Sequence, residues 1–193
     1  VIGLAICVLF EAYTAGVLQN TTLAMNVGCA SRASYVDFIR TTQPVVDYIY
    51  QNDDGFYRME KTFFRMANDN MALGIRGVSG STSTMNSCTL DLLRRLGYSS
   101  SSYISWYYGG NPVNDSLIGI KYIISDGRDR QLLPDFYDIV YEDVDNKRYV
   151  FENPYSLGLA YAVHSDILYF DPSEVKNPFE YMNAVLSAML AQN

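Results

Sequence analysis

The chain opens VIGLAICVLFEAYTAGVLQN, and no other stretch limits its possible folds as much. Val1 to Phe10 is unbroken apolar or small; Glu11 interrupts, and Ala12 to Leu18 resumes. A bilayer span takes about 20 apolar residues, whereas a run of about 10 to 14 belongs to a core helix. This run falls between the two. It reads as a buried amphipathic helix, as the end of a truncated span, or as a helix lying on a membrane surface. The last lacks the basic face such helices carry. No basic stretch precedes the run, so it does not read as a signal peptide. The missing initiator Met reads as a fragment or a processed product.

A length of 193 residues suits one domain, or one domain with an appendage. With 49% hydrophobic and 18% charged residues the chain can bury a core, which argues against disorder. The net charge of −7 argues against a nucleic-acid partner, which would demand a basic stripe. No Lys/Arg cluster flanks the opening run. Cys7, Cys29 and Cys88 form no CxxC pair and are odd in number, so only a single Cys29–Cys88 bridge stays open. The lone histidine, His164, excludes a histidine-rich metal site. A Ser-His-Asp hydrolase would have to use it, and otherwise it is simply hydrogen-bonded within an apolar strand. The sequence points to no metal and identifies no cofactor.

Pattern and punctuation predict a mixed α/β domain. Asn20 to Gly28 reads as a polar link. Ser34 is placed to cap a short helix through Tyr35, Phe38 and Ile39, and Pro44 to open a second through Val45, Val46, Tyr48 and Ile49. GFYRMEKTFF alternates as a strand, with Tyr57 and Met59 on one face and Arg58 and Glu60 on the other. NDNMALGIRGVSGSTSTMNS reads as an ordered glycine-rich loop. A helix then starts at Asn86 or Ser87, runs through Leu90, Leu93 and Leu96, and closes at Gly97. YSSSSYISWYYGGNPVN reads as a loop with exposed aromatics, and Asp115-Ser116 opens a turn of helix. Strands are expected at Ile120 to Ile124, in FYDIVY and RYVFEN as a hairpin around DVDN, and at LGLAYAV. Asn177 caps a last helix with Pro178 at its first position and Phe179, Met182, Val185, Leu186 and Met189 on its apolar face.

GVSGSTSTMNS offers backbone N–H groups to an anion, but it lacks the lysine and spacing of a P-loop. It reads either as a glycine turn capped by its own hydroxyls or as a polar surface for a sugar or lipid phosphate. Arg58, Glu60 and Lys61 with Asn68-Asp69-Asn70 either converge or form a solvated strand face. The carboxylate runs Asp53-Asp54 and Glu142-Asp143-Asp145 lack calcium-loop spacing. Trp106, Tyr107 and Tyr108, beside Gly109-Gly110, could stack on sugars or anchor at a membrane interface.

Several stretches together resemble one family. FYRMEKTFFRMANDNMALGIRGVSGSTSTMNS, DSLIGIKYIIS, YVFENPYSLGLAYAV and NPFEYMNAVLSAML follow, in order, the pattern of YfhO-type bacterial membrane proteins. SRASYVDFIR fits the start of that family's outer domain, just after a span. The resemblance covers nearly the whole chain. It implies a polytopic C-type glycosyltransferase linked to sugar decoration of teichoic acids in Gram-positive bacteria, with a polyprenyl-phosphate-linked sugar as donor and an envelope polymer as acceptor. It implies that residues 1–19 end a transmembrane helix, with Glu11 near the outer interface. Residues 20–193 would then form an extracytoplasmic α/β domain, a mixed sheet flanked by helices, incomplete at its C-terminus. The essential carboxylate is expected in an earlier outer loop, so no catalytic residue is assigned and the fragment alone is expected to be inactive. Arg58, Lys61, Arg76, Ser79, Ser81 and Asn86 are the candidates for phosphate or acceptor contacts. The alternative is a non-catalytic outer-surface module that binds envelope polymer or a partner protein. A polar groove lined by Arg58, Ser79, Ser81 and Asn86 would favour the enzyme, and a flat face the module.

Overall fold

The computed structural model describes residues 2–26, 31–128, 135–175 and 177–191. The chain divides into two compact units, Val1–Asp37 and Phe38–Asn193.

The first unit is dominated by helix α1, Ile2–Asn26. It does not stop near Leu18 as the polar letters suggest. Thr21 is accommodated in the helix with its hydroxyl satisfied, donating back to the Val17 carbonyl at 2.9 Å, as Thr14 does to Phe10. Leu23 and Met25 then extend the turn. Its 25 residues span roughly 37 Å at the α-helical rise, enough for a hydrocarbon core of about 30 Å. The stretch Ile2–Leu23 has a mean hydropathy of 1.6, and none of it is buried in the protein. Glu11 lies near the middle of that stretch rather than at its edge.

Helix α2, Arg32–Asn52, is continuous through Pro44, where two helices were expected. An interior proline costs about 3 kcal/mol because it removes one helical hydrogen bond and crowds the preceding turn. Burial outweighs this. Phe38, Val45, Val46 and Ile49 are all buried, each worth about 1.5 to 3 kcal/mol.

The second unit is built on a four-stranded sheet in the order β1-β5-β7-β6. The strands are β1 (Arg58–Lys61), β5 (Ile120–Ser125), β6 (Asp138–Asp143) and β7 (Arg148–Glu152). Strands β1 and β5 are parallel; β5–β7 and β7–β6 are antiparallel, the latter pair being the expected hairpin. The α2 residues from Phe38 onward pack with Met59, Phe63, Tyr122, Ile124 and Val150. The Arg148 guanidinium ties β7 to this helix, donating to Thr41 and Thr42 at 3.0 and 3.1 Å. A second apolar cluster joins Ile123 and Phe151 to Leu93, Leu96, Tyr181 and Met182. These last come from α4 (Ser87–Arg95), its C-terminal Leu96, and α6 (Pro178–Leu190). The protein is thus a mixed α/β fold, as the sequence predicts.

The crossover from β1 to β5 carries α3 (Asp69–Leu73), α4, α5 (Pro112–Leu117) and a small sheet in the order β2-β4-β3. Its strands are β2 (Gly80–Ser81), β3 (Ser99–Ser101) and β4 (Ile104–Trp106). The serine-rich segment is therefore a hairpin, not a loop. Gly109, at φ +85°, lies so close to the Gly97 carbonyl that any Cβ would collide with it. Helix α5 begins at Pro112 under an Asn111 cap, earlier than Asp115. LGLAYAV forms no strand; it runs as irregular chain into a 3-10 turn at Ser165–Tyr169. His164 caps that turn, its ring accepting from the Asp166 amide at 3.3 Å on an exposed surface. Cys88 is exposed, whereas Cys29, and with it the bridge considered between them, lies outside the described residues.

Candidate functional site

Two enclosed polar clusters and one open cleft carry the chemistry of the second unit. The first cluster centres on Glu60, which is fully buried in β1. Its carboxylate accepts from the Val78 amide at 2.5 Å, the Ser79 amide at 2.6 Å and the Ser79 hydroxyl at 3.1 Å. The Asn70 side-chain amide adds a fourth bond at 2.9 Å. The glycine-rich segment thus wraps a carboxylate of its own chain, which uses the anion-cradling amides internally. Beside it Lys61, also fully buried, donates to Asn70 Oδ1 at 2.9 Å and lies 4.5 Å over the Phe64 ring. Burial pushes the Glu60 carboxyl up from its ordinary range, against the pull of Lys61 and the Ser79 and Val78 donors. Burial likewise lowers the Lys61 ammonium, against Glu60 and Asp69.

The second cluster is Asp115, wholly buried in α5. Tyr98 donates to one carboxylate oxygen at 2.7 Å; Tyr107 and Tyr137 donate to the other, each at 2.6 Å. Burial raises its pKa to about 6, opposed by these three hydroxyls. Tyr107 is therefore a core residue and not an exposed ring. Trp106 and Tyr108 both pack edge-on against Phe64 at 5.0 Å, and of the three aromatics only Tyr108 is exposed.

The cleft, about 700 Å³, lies along α4. Ser87, Cys88, Asp91, Arg94, Arg95 and Tyr181 line it, with Ser101 and Ser102 of the small hairpin also contributing. A smaller cavity of about 280 Å³ shares Asp91, Arg94, Arg95 and Tyr181 and extends to Asn177 at the start of α6. Asp91 holds both guanidiniums: Arg95 Nε donates to it at 2.7 Å, and Arg94 Nη2 pairs with its other oxygen.

None of the six candidate contact residues lines either cavity. Lys61 and Ser79 are enclosed around Glu60. Asn86 caps α4, accepting from the Thr89 amide at 3.1 Å. The Ser81 amide donates to Asn68 Oδ1 at 2.7 Å, and Arg58 donates to the Ile118 carbonyl. Arg76 is exposed, its guanidinium 4.9 Å from the Phe56 ring centroid. Of the two readings of this strand, Glu60, Lys61 and Asn70 converge rather than form a solvated face, and the cluster is sealed from solvent. The cleft residues were missed in the sequence. Asp91-Leu-Leu-Arg-Arg reads there as an ordinary amphipathic helix, and the opposing wall comes from a segment read as loop. Among the described residues no group of three His, Cys, Asp or Glu side chains is placed to hold a metal.

The helix Ile2–Leu23 is long and apolar enough to cross a membrane, and it is followed along the chain by a mixed α/β unit with an open cleft along α4. The chain belongs to the family of the bacterial membrane protein YfhO, whose family model matches residues 1–193. Neither a curated protein nor a solved structure matches it. The membership bears out the resemblance read from the four ordered stretches.

Proposed function

We propose that this chain is the extracytoplasmic part of a membrane glycosyltransferase that moves a sugar from a polyprenyl-phosphate carrier to an envelope polymer such as teichoic acid. The observation that carries the reading is family membership along the whole chain, together with a helix long enough to cross the bilayer next to the α/β domain. Residues after about 20 lie on the outer side in this proposal. Sugar transfer from a lipid phosphate needs a base for the acceptor hydroxyl and electrostatic help for the departing phosphate. The base belongs to another outer loop of the full-length protein, and this chain supplies contacts to substrate. Of the six candidates, Arg76 and Asn86 are exposed and Arg58 and Ser81 partly so, and these remain within reach of a ligand; Lys61 and Ser79 are enclosed and serve by ordering the loop around Glu60. A second reading, a non-catalytic module that positions polymer or a partner, is favoured by the dispersal of those six residues outside any shared groove.

Cells lacking the full-length protein are expected to lose the sugar from their teichoic acid and regain it on complementation. Unchanged sugar content in the deletion strain would rule the assignment out. If content falls but membranes holding the full-length protein transfer no sugar from a polyprenyl-phosphate donor, the module reading replaces the enzyme. Sidedness has its own test. With Cys7 and Cys29 replaced by alanine, exposed Cys88 is expected to react with a membrane-impermeant maleimide in intact cells. Labelling only after lysis would put the domain in the cytoplasm.

A further inference from the structure

We propose that the α4 cleft binds a phosphate ester carrying free hydroxyl groups, with Arg94 and Arg95 as the guanidinium pair that takes the phosphate. The proposal rests on the functional reading above only for the source of that ligand. Asp91, Arg94 and Arg95 leave the cleft with one net positive charge in a chain of net charge −7. Planar guanidinium forks match the oxygens of a phosphate as an ammonium cannot. Both arginines are held by bonds to a single carboxylate on their own helix. Exposed intrahelical pairs of this kind hold weakly, so a phosphate can displace one of them. The two differ in preparation. Arg95 is the fixed donor: its Nη1 also donates to the Pro172 carbonyl at 3.3 Å, and its guanidinium lies 5.9 Å from the Tyr181 ring. Arg94 is the more open one, its side chain 65% exposed and bonded only to Asp91 among the partners described. Ser87, Ser101 and Ser102 supply hydroxyls around the same space, and Asp91 can accept from a ligand hydroxyl once Arg94 turns to the phosphate. A volume of about 700 Å³ has room for several polyol or sugar units beside the phosphate, with Leu90, Leu92 and Pro172 as apolar wall for their carbon faces.

This chemistry has two sources, a polyol-phosphate polymer or the phosphate of a lipid-linked sugar. Cys88 lines the cleft and reports occupancy directly. The full-length protein, with Cys88 as its only thiol, is placed in nanodiscs and its alkylation rate measured. The probes are a soluble glycerol-phosphate oligomer, a polyprenyl-phosphate-linked sugar in the disc, and glycerol as a neutral control. Slowing by the oligomer supports the proposal with polymer as ligand, and slowing by the lipid-linked sugar alone supports it with the lipid as ligand. The Arg94→Gln variant, at an exposed position, is expected to need about tenfold more probe for the same protection. The proposal is overturned if neither phosphate probe slows alkylation, if glycerol protects equally, or if Arg94→Gln and Arg95→Gln both protect like the wild type. Loss of teichoic acid sugar on deletion without Cys88 protection sinks this inference alone; protection without that loss sinks only the functional reading.

Discussion

Between about pH 3 and pH 7 the stability advantage of the wild type over Asp115→Asn is expected to shrink by about 3 kcal/mol. The folded carboxyl is raised from 3.8 to about 6, so between those values the folded chain holds a proton that the unfolded chain has released. Stability from this group is complete below the unfolded value and is lost as pH rises through the folded one. Asparagine cannot titrate, so its curve lacks this component. Tyr107→Phe removes one hydroxyl that favours the charged form and should move the loss to higher pH. Urea unfolding in detergent micelles across this range measures both effects. Parallel wild-type and Asp115→Asn curves would show that the carboxyl titrates as an ordinary one.

Removing the Glu60 carboxylate should cost more at every pH. Glu60→Ala leaves the Val78 and Ser79 amides without their acceptor and the Lys61 ammonium with only Asp69 as counter-charge. Breaking a buried pair from one side costs about 3 to 5 kcal/mol, a large part of a typical domain's stability. Glu60→Gln keeps one oxygen for the Val78 and Ser79 amides and should lose less. Gly77→Ala should reproduce much of the Glu60→Ala defect with the carboxylate intact, because a Cβ there would overlap Glu60 Oε1 and Asn70 Nδ2. Hydrogen exchange at residues 74–81 should accelerate in both the Glu60→Ala and Gly77→Ala variants. A Glu60→Ala protein with the wild-type urea midpoint and unchanged exchange would mean that the loop holds its shape without the carboxylate.

The sequence was legible where structure is locally written. Asn86 and Asn177 cap the helices they were expected to cap, and Pro178 takes the first helical position. The β6–β7 hairpin turns at the expected residues, and β5 is an apolar run as buried as it reads. Misreadings arose where a distant partner decides. Tyr98 and Tyr107 flank serines and look exposed, but Asp115 satisfies their hydroxyls and lets their rings join the core. LGLAYAV has a strand's composition but gains no neighbouring strand. Glu60 and Lys61 sit on a strand whose alternation suggests a wet face; the loop that seals them lies 10 to 19 residues away in the chain. The site was the least legible part, because its two walls come from an unremarkable amphipathic helix and an unrecognised hairpin.

The strand order has a consequence for life in a crowded membrane. A sheet with two outer strands offers two templates on which other copies could zip into aggregates. At one border, the Met59 amide already donates to the Arg76 carbonyl at 2.9 Å, so the glycine-rich segment shields it. At the other, β6 reads DIVYED, with an irregular register between Ile139 and Tyr141 and carboxylates at both ends. Kinked and negatively charged, that border repels its own duplicate, so neighbouring molecules packed side by side in a bilayer can keep their sheets separate.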